Sequence, residues 1–381
     1  MNVLFLALDV DPSGRQGDAV HVRELARALA ERGTAVDVVA AGATRGPTTS
    51  GLTFHIRPRD SDWRVARFCA DLARRAKAQV VYERRLSPKV GFTVSRLVSV
   101  PLVLEVNGVE EEASILGRTE MTPWRPVKVA LRRRMYRGAK RVVAVTDRLA
   151  EHVRERYHVD PSRLVVVPNG VDPSTFVPMD RTVTRRSLSL PETPTVLFVG
   201  NLVPWQGLET LLASAQAVLR RLPKSRFVIV GDGVSRDALQ RLATALDVAA
   251  SVSFVGGVEH ERIPYYIGAA DVCVAPFTRM RNEAIGLSPL KVYEYMACAR
   301  PAVASDLSGI GDLLRTSGGG ILVPPDDADR LAGALHHLLH SPDEARAMGE
   351  RGRAYVASEC SWARTAERVE RVLRDAVEAA R

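Results

Sequence analysis

Only four cysteines occur in the 381 residues, Cys69, Cys273, Cys298 and Cys360, and no two stand close together. That excludes a disulfide-stapled scaffold and a paired-cysteine metal or redox motif, and it fits a reducing compartment such as the cytoplasm. No apolar run approaches the roughly 18 residues that a membrane-spanning helix needs. The opening run, residues 3–8, is too short and lacks the basic flank of a secretory leader, so it is expected to be a buried first strand. Zinc-finger, zipper and aromatic RNA-binding signatures are missing, which argues against a nucleic-acid partner. Short repeats, low-complexity tracts and clustered metal ligands are missing too. With 46% hydrophobic and 25% charged residues, the composition is that of an ordinary globular chain.

What the sequence does have is an uneven charge. The net charge is +9, and residues 1–176 hold 29 Lys and Arg against 20 Asp and Glu, while residues 177–381 hold 24 of each. Such asymmetry speaks to partners rather than to fold, and an anionic membrane surface or a phosphorylated ligand would both use it. The stretch Arg125–Arg141 carries eight cations and no acid, with Val127, Leu131 and Met135 at helical spacing. One reading is a basic amphipathic helix lying on the inner face of a membrane. The other is a core-facing helix with a solvated basic face.

Short apolar runs alternate with helical stretches along the whole chain. Strands are expected at residues 3–8, 35–40, 80–82, 102–106, 142–145 and 164–167, and the pattern restarts at 195–199, 227–230, 252–255, 272–275, 301–304 and 320–323. Nearly continuous apolar runs of this kind suit parallel sheets covered on both faces. The Pro-containing segment 172–194 reads as a linker. The chain is therefore expected to be α/β, with a Rossmann-like domain at 1–176, a second at 177–360, and a C-terminal helix at 361–381 packing back toward the first. Ligands of open α/β sheets sit at the carboxyl ends of the strands.

The most informative segment is 286–305, GLSPLKVYEYMACARPAVAS. Ser288 is expected to cap a helix and Pro289 to sit in its first turn. A helix start offers unpaired N–H groups and the positive end of a dipole to a phosphate. Lys291 and Glu294 share one face, so a cation would meet phosphates while a carboxylate accepts from ribose hydroxyls. The plainer reading is a capped surface helix with one salt bridge.

Taken with VVVPNGVD (165–172), TVLFVGNLVPWQGLETLL (195–212), FVIVGDG (227–233), VSFVGGV (252–258) and AADVCVAP (269–276), this segment resembles glycosyltransferase family 4, retaining enzymes of the GT-B fold. The resemblance spans nearly the whole chain and implies two Rossmann-like domains facing a central cleft. It implies transfer of a sugar from a nucleoside-diphosphate sugar, with no metal or other cofactor.

Residue by residue, the resemblance implies that Glu294 holds the donor ribose. Its companion carboxylate falls on Gly286, and Glu283 is out of register. Near the diphosphate, Asn201 and Gln206 stand beside Gly200 and Gly207 where many relatives carry Arg and Lys. Charge-assisted bonds to phosphate are the stronger kind, so Lys291 is expected to supply the cation, with Arg279 and Arg281 as substitutes. Backbone amides at Ser288, Leu290 and Lys291, beside Pro289, would share that load. Gly231 borders the donor, and Val258 ends the segment that reads the base edge. In the first domain, Gly17 and His21 keep the family's spacing, with Gln16 replacing a glycine. Asn107 stands where relatives carry His near the donor sugar. The triplet Glu110–Glu112 is either a solvated loop or an acceptor contact.

The implied catalytic groups are therefore His21, Asn107, Lys291 and Glu294. The implied acceptor is a glycan, a glycolipid or a secondary metabolite. A GT-B epimerase and a nucleotide-binding partner that has lost the chemistry are the alternative functions, the latter favoured by Gly286, Asn201 and Gln206.

Overall fold

The computed structural model describes residues 1–14, 16–42, 49–57, 60–85, 87–109 and 125–380, with the side chains of 125, 126, 281 and 284 left aside. The chain divides into two compact units. The first comprises residues 1–169 and 362–381, and the second residues 170–361.

The first unit is built on a seven-stranded sheet in the order β3-β2-β1-β4-β5-β6-β7. The strands are β1 (Asn2–Ala7), β2 (Ala35–Ala41), β3 (Leu52–Arg57), β4 (Val80–Arg84), β5 (Leu102–Val106), β6 (Arg141–Ala144) and β7 (Leu164–Val166). Every pairing is parallel. β1 and β5 are buried along nearly their whole length, as a sheet covered on both faces requires. β3 was not expected from the sequence, because Thr53, His55 and Arg57 interrupt its apolar positions.

The second unit carries a six-stranded parallel sheet in the order β10-β9-β8-β11-β12-β13. Its strands are β8 (Thr195–Val199), β9 (Arg226–Val230), β10 (Val252–Gly256), β11 (Val272–Ala275), β12 (Ala302–Ser305) and β13 (Gly320–Val323). Two apolar clusters, one per face, hold its helices, with Phe198 and Phe227 in one and Tyr295 and Met296 in the other.

The boundary differs from the sequence reading. Residues 170–176 belong to the second unit, not the first: Val171 N–H donates to Cys360 at 2.9 Å, and Phe176 is buried in that unit's core. Nor is 172–194 a free linker. It holds the helix Arg181–Ser187, whose Arg185 is buried and donates to Ala269 O at 2.9 Å and Asp271 at 2.6 Å. The C-terminal helix, Trp362–Glu378, packs on the helix Gly17–Glu31 of the first unit. Buried Glu370 ties it there, accepting from Arg32 Nε at 2.8 Å and from Arg374 at 2.7 Å.

β4 brings one charged group into the first unit's interior. Glu83 is fully buried and accepts the Gly91 N–H at 2.9 Å, while its other carboxyl oxygen has no hydrogen-bond partner among the described residues. The approach requires glycine at 91, since a Cβ there would meet the carboxylate at 2.3 Å. Burial pushes the Glu83 pKa from 4.5 up to about 8. The folded chain thus keeps a proton that the unfolded chain releases near 4.5, and stability falls as pH rises between those values. Glu83→Gln is expected to raise the thermal midpoint at pH 8.5 by at least about 2–4 °C, what roughly 1 kcal/mol is worth in a unit of this size. The gain should shrink toward zero at pH 5. A difference independent of pH would mean that Glu83 is not a buried neutral acid.

Candidate functional site

In the second unit the candidate donor residues gather around one lysine. Lys291 lies in the first turn of the helix Leu290–Ala297 and is buried. Its Nζ donates to Gln206 Oε1 at 2.6 Å, across 85 residues of sequence. The same nitrogen sits 3.8 Å from the centre of the Phe198 ring and 5.1 Å from that of Phe277, both on the attractive faces. Below it lies Gly200, where a Cβ would come within 2.6 Å of Nζ. Gly200 is itself pressed against Gly231, which adopts a φ of 134° and has no room for a side chain, the Gly200 carbonyl lying 1.9 Å from where a Cβ would be.

Lys291 and Glu294 are both buried on one helix face, but the lysine donates to Gln206 rather than to Glu294. Burial lowers the Lys291 ammonium to about 7, and the Glu294 charge only partly resists. Burial likewise raises the Glu294 carboxyl to about 7 against the pull of Lys291. A basic group with little partnering, placed in the first turn of a helix, is a site suited to an anion.

Several expectations change here. Ser288 does not cap this helix. Pro289 is the cap residue, without a side-chain hydrogen bond, and Ser288 Oγ lies 3.4 Å from the Tyr293 hydroxyl. Leu290 opens the helix and is half-buried. Gly286 has a φ of 67°, a region glycine favours, and closes the helix Arg279–Ile285. A backbone turn thus occupies the place where a second carboxylate was looked for. Gln206 holds Lys291 instead of lying open to a phosphate. Asn201 is exposed, with its carbonyl accepting from Val203. Arg279 pairs with Glu283 at 3.3 Å on the surface, and the Arg281 side chain lies outside the described residues. Val258 leans on the apolar core.

In the first unit, Gly17 begins the helix Gly17–Glu31 and is exposed, whereas His21, one turn on, is buried. His21 Nδ1 lies 2.8 Å from Asn169 Oδ1 and Nε2 lies 2.7 Å from Glu105 Oε1. The edge of the His21 ring meets Trp362, with centroids 5.3 Å apart. Asn107 donates to the same Glu105 oxygen at 2.5 Å, the Tyr82 hydroxyl donates to the other oxygen, and Arg84 Nε stands 3.7 Å away. Burial works to raise the Glu105 carboxyl, but His21, Arg84 and Tyr82 outweigh it and bring it down to about 2. His21 and Asn107 are therefore brought together, by a glutamate that spacing alone did not single out. The signal was present, since Glu105 is the one acid inside the apolar strand LVLEV. The triplet Glu110–Glu112 lies outside the described residues.

Comparison with known proteins places these features. The family model described as Glycosyltransferase Family 4 matches residues 16–175, and that described as Glycosyl transferases group 1 matches residues 180–355. The D-inositol 3-phosphate glycosyltransferase of Geodermatophilus obscurus is 30% identical over 94% of this chain and 85% of its own. A GDP-mannose-dependent monoacylated alpha-(1-6)-phosphatidylinositol monomannoside mannosyltransferase of Corynebacterium glutamicum is 33% identical over 54% of this chain and 55% of its own. Among solved structures, a sucrose-phosphate synthase from Thermosynechococcus elongatus superposes with a TM-score of 0.79 over 99% of both chains at 22% identity, a likeness of fold. The two Rossmann-like units are those of the GT-B architecture.

The first-unit network makes a stability prediction. His21→Ala removes one partner of a buried charge and is expected to cost about 3 kcal/mol in denaturant unfolding near neutral pH. The deficit should fade as pH drops toward 2, where Glu105 takes up a proton and no longer needs its partner. An unchanged midpoint at pH 7 would show that the imidazole gives Glu105 no net support.

Proposed function

Because this chain belongs to glycosyltransferase family 4, we propose that it transfers a sugar, with retention of configuration, from a UDP- or GDP-sugar to a hydroxyl of a glycan, glycolipid or secondary-metabolite acceptor. The observation that carries the donor half of this reading is the buried Lys291 ammonium at the start of the helix Leu290–Ala297. As the bond from the anomeric carbon to the diphosphate breaks, negative charge grows on the leaving phosphate oxygens. Fixed N–H groups and a cation taken out of water stabilise that charge best. Lys291 would move from Gln206 to a phosphate oxygen, with Gln206 left to orient it. Glu294 would accept from a ribose hydroxyl. Retention would follow from attack on the face that the leaving group vacates, within an ion pair. Neither step calls for a metal. Acceptor binding would fall to the first unit, where His21 and Asn107 are held on Glu105.

Thermal shifts with UDP, GDP, dTDP and ADP test the donor site, because a ligand of the folded state raises its stability by mass action. One nucleotide is expected to stand out. Lys291→Met and Glu294→Gln should each lower turnover at least about a hundredfold with little loss of midpoint. Affinity for the diphosphate should also fall as pH rises past 7, where Lys291 loses its proton and Glu294 gains charge, and the double change Lys291→Met with Glu294→Gln should remove that dependence. Stabilisation without turnover in the wild type would favour a partner protein that has lost the chemistry.

We also propose peripheral attachment to the cytoplasmic membrane face through the helix Arg125–Gly138. The expected apolar stripe does not all cover the sheet. Met135 is buried, but Val127 and Leu131 are 59% and 46% exposed, on one face with Arg134. Tyr136 does the anchoring, stacked on Tyr157 with centroids 4.3 Å apart. No helix among the described residues is long and apolar enough to cross a membrane. Binding to phosphatidylglycerol vesicles is expected at low salt and should weaken at 0.5 M NaCl. Val127→Ser with Leu131→Ser should reduce it several-fold, and absence of vesicle binding at low salt would dispose of the idea.

A further inference from the structure

The first unit contains a cavity of about 280 Å³ that lies apart from the His21 network. Leu8 and Asp9 follow β1, Ala40 and Ala41 end β2, Arg57 ends β3, and Arg85 follows β4, so the cavity opens at the carboxyl ends of four adjacent strands. From β1 the chain crosses to β2 on one side, and from β4, β1's neighbour on the other side, it crosses away to β5, so the connections diverge between β1 and β4. The cavity therefore sits at the topological switch point, where sheets of this kind hold their ligands. At roughly 30 Å³ per water it has room for about nine, enough for one six-membered polyol ring.

Its lining is half apolar and half charged: five small aliphatic side chains, three Asp and two Arg. The charges largely cancel one another. Asp62 is met by Arg85 at 3.6 Å and Lys89 at 3.8 Å, and Asp60 by Arg64 at 3.6 Å. Two groups are left over, one of each sign. Asp9 is exposed and has no partner among the described residues. Arg57 lies over the Phe68 ring at 4.3 Å, and among the described residues it has no carboxylate partner and its buried Nε has no hydrogen bond. Glu83, beneath the same charges, is uncharged at neutral pH.

We propose that this cavity binds an uncharged polyhydroxyl ring, a cyclitol or monosaccharide, with one hydroxyl donating to Asp9 and another accepting from Arg57. Apolar walls suit the C–H faces of such a ring, and the carboxylate and guanidinium suit its edge. An anionic substituent would face three carboxylates, and a cationic one two guanidinium groups. The proposal rests on the glycosyltransferase reading in one respect: it makes this ring the accepting group.

The test is a saturation-transfer NMR titration of the full chain, with and without UDP or GDP, using inositol and methyl glucoside as neutral probes, inositol 1-phosphate as the anion and glucosamine as the cation. A neutral probe is expected to bind most tightly. Asp9→Asn, an isosteric change at an exposed position, and Arg57→Gln should each weaken it at least about tenfold, the effect of losing a hydrogen bond to a charged group. Nucleotide-induced thermal shifts should be unchanged in both variants. Tighter binding of the phosphate ester or of glucosamine, failure of both neutral probes to bind, or full binding by Asp9→Asn would each overturn the proposal. Loss of nucleotide binding by the wild type would instead strike the donor assignment, which the ring titration does not use.

Discussion

A lysine ammonium taken out of water with one neutral hydrogen-bond partner sets the terms for everything around it in the second unit. Removing an ammonium from water is costly unless it is paired. Here the ring faces of Phe198 and Phe277 and the Gln206 oxygen offset part of that cost, and the lowered Lys291 pKa expresses the remainder. Gly200 has to lack a side chain for the nitrogen to lie where it does, and Gly231 has to lack one for the Gly200 backbone to lie where it does. Gln206 looks like a lost charge in the sequence. In the fold it is the acceptor that holds the Lys291 ammonium in place. A lysine at 206 would set two ammonium groups within hydrogen-bond distance, each resisting the other's proton.

The first unit poses the opposite problem, buried carboxylates, and solves it in two ways on neighbouring strands. Glu105 on β5 is surrounded by donors, His21, Tyr82, Asn107 and Arg84, and stays ionised down to about pH 2. Glu83 on β4 has one backbone donor and keeps its proton. Two residues of one type in one sheet thus carry different charges at neutral pH, and the difference comes from hydrogen bonds and nearby charge rather than from depth, since both are buried.

The two parallel sheets were legible in the sequence because their strands are continuous apolar runs, a pattern that depends little on distant partners. β3 escaped notice because its polar positions break that run. The unit boundary was misplaced because Arg185 is buried, and arginine in a Pro-containing segment ordinarily signals solvent. At the sites, residue types could be picked out but not their partners. Lys291 finds Gln206 across 85 positions and His21 finds Asn169 across 148, distances over which local spacing carries no information. Spacing suggested a Lys291–Glu294 pair because three residues make one helical face. It could not reveal that the cation's nearer oxygen comes from another loop.

The positive excess of residues 1–176 invites a single explanation, an anionic partner, yet the fold divides it. On the helix Arg125–Gly138 the cations Lys128, Arg134 and Arg137 stay exposed beside Val127 and Leu131, where long-range attraction to a charged surface can act. In the cavity at the sheet's carboxyl edge Arg85 is matched by Asp62, and three Asp stand against two Arg overall, so most of the attraction between opposite charges is spent internally. A balanced pocket discriminates by hydrogen-bond geometry and rejects net charge of either sign. Net charge therefore describes how this chain meets a surface, and says little about which molecule it admits.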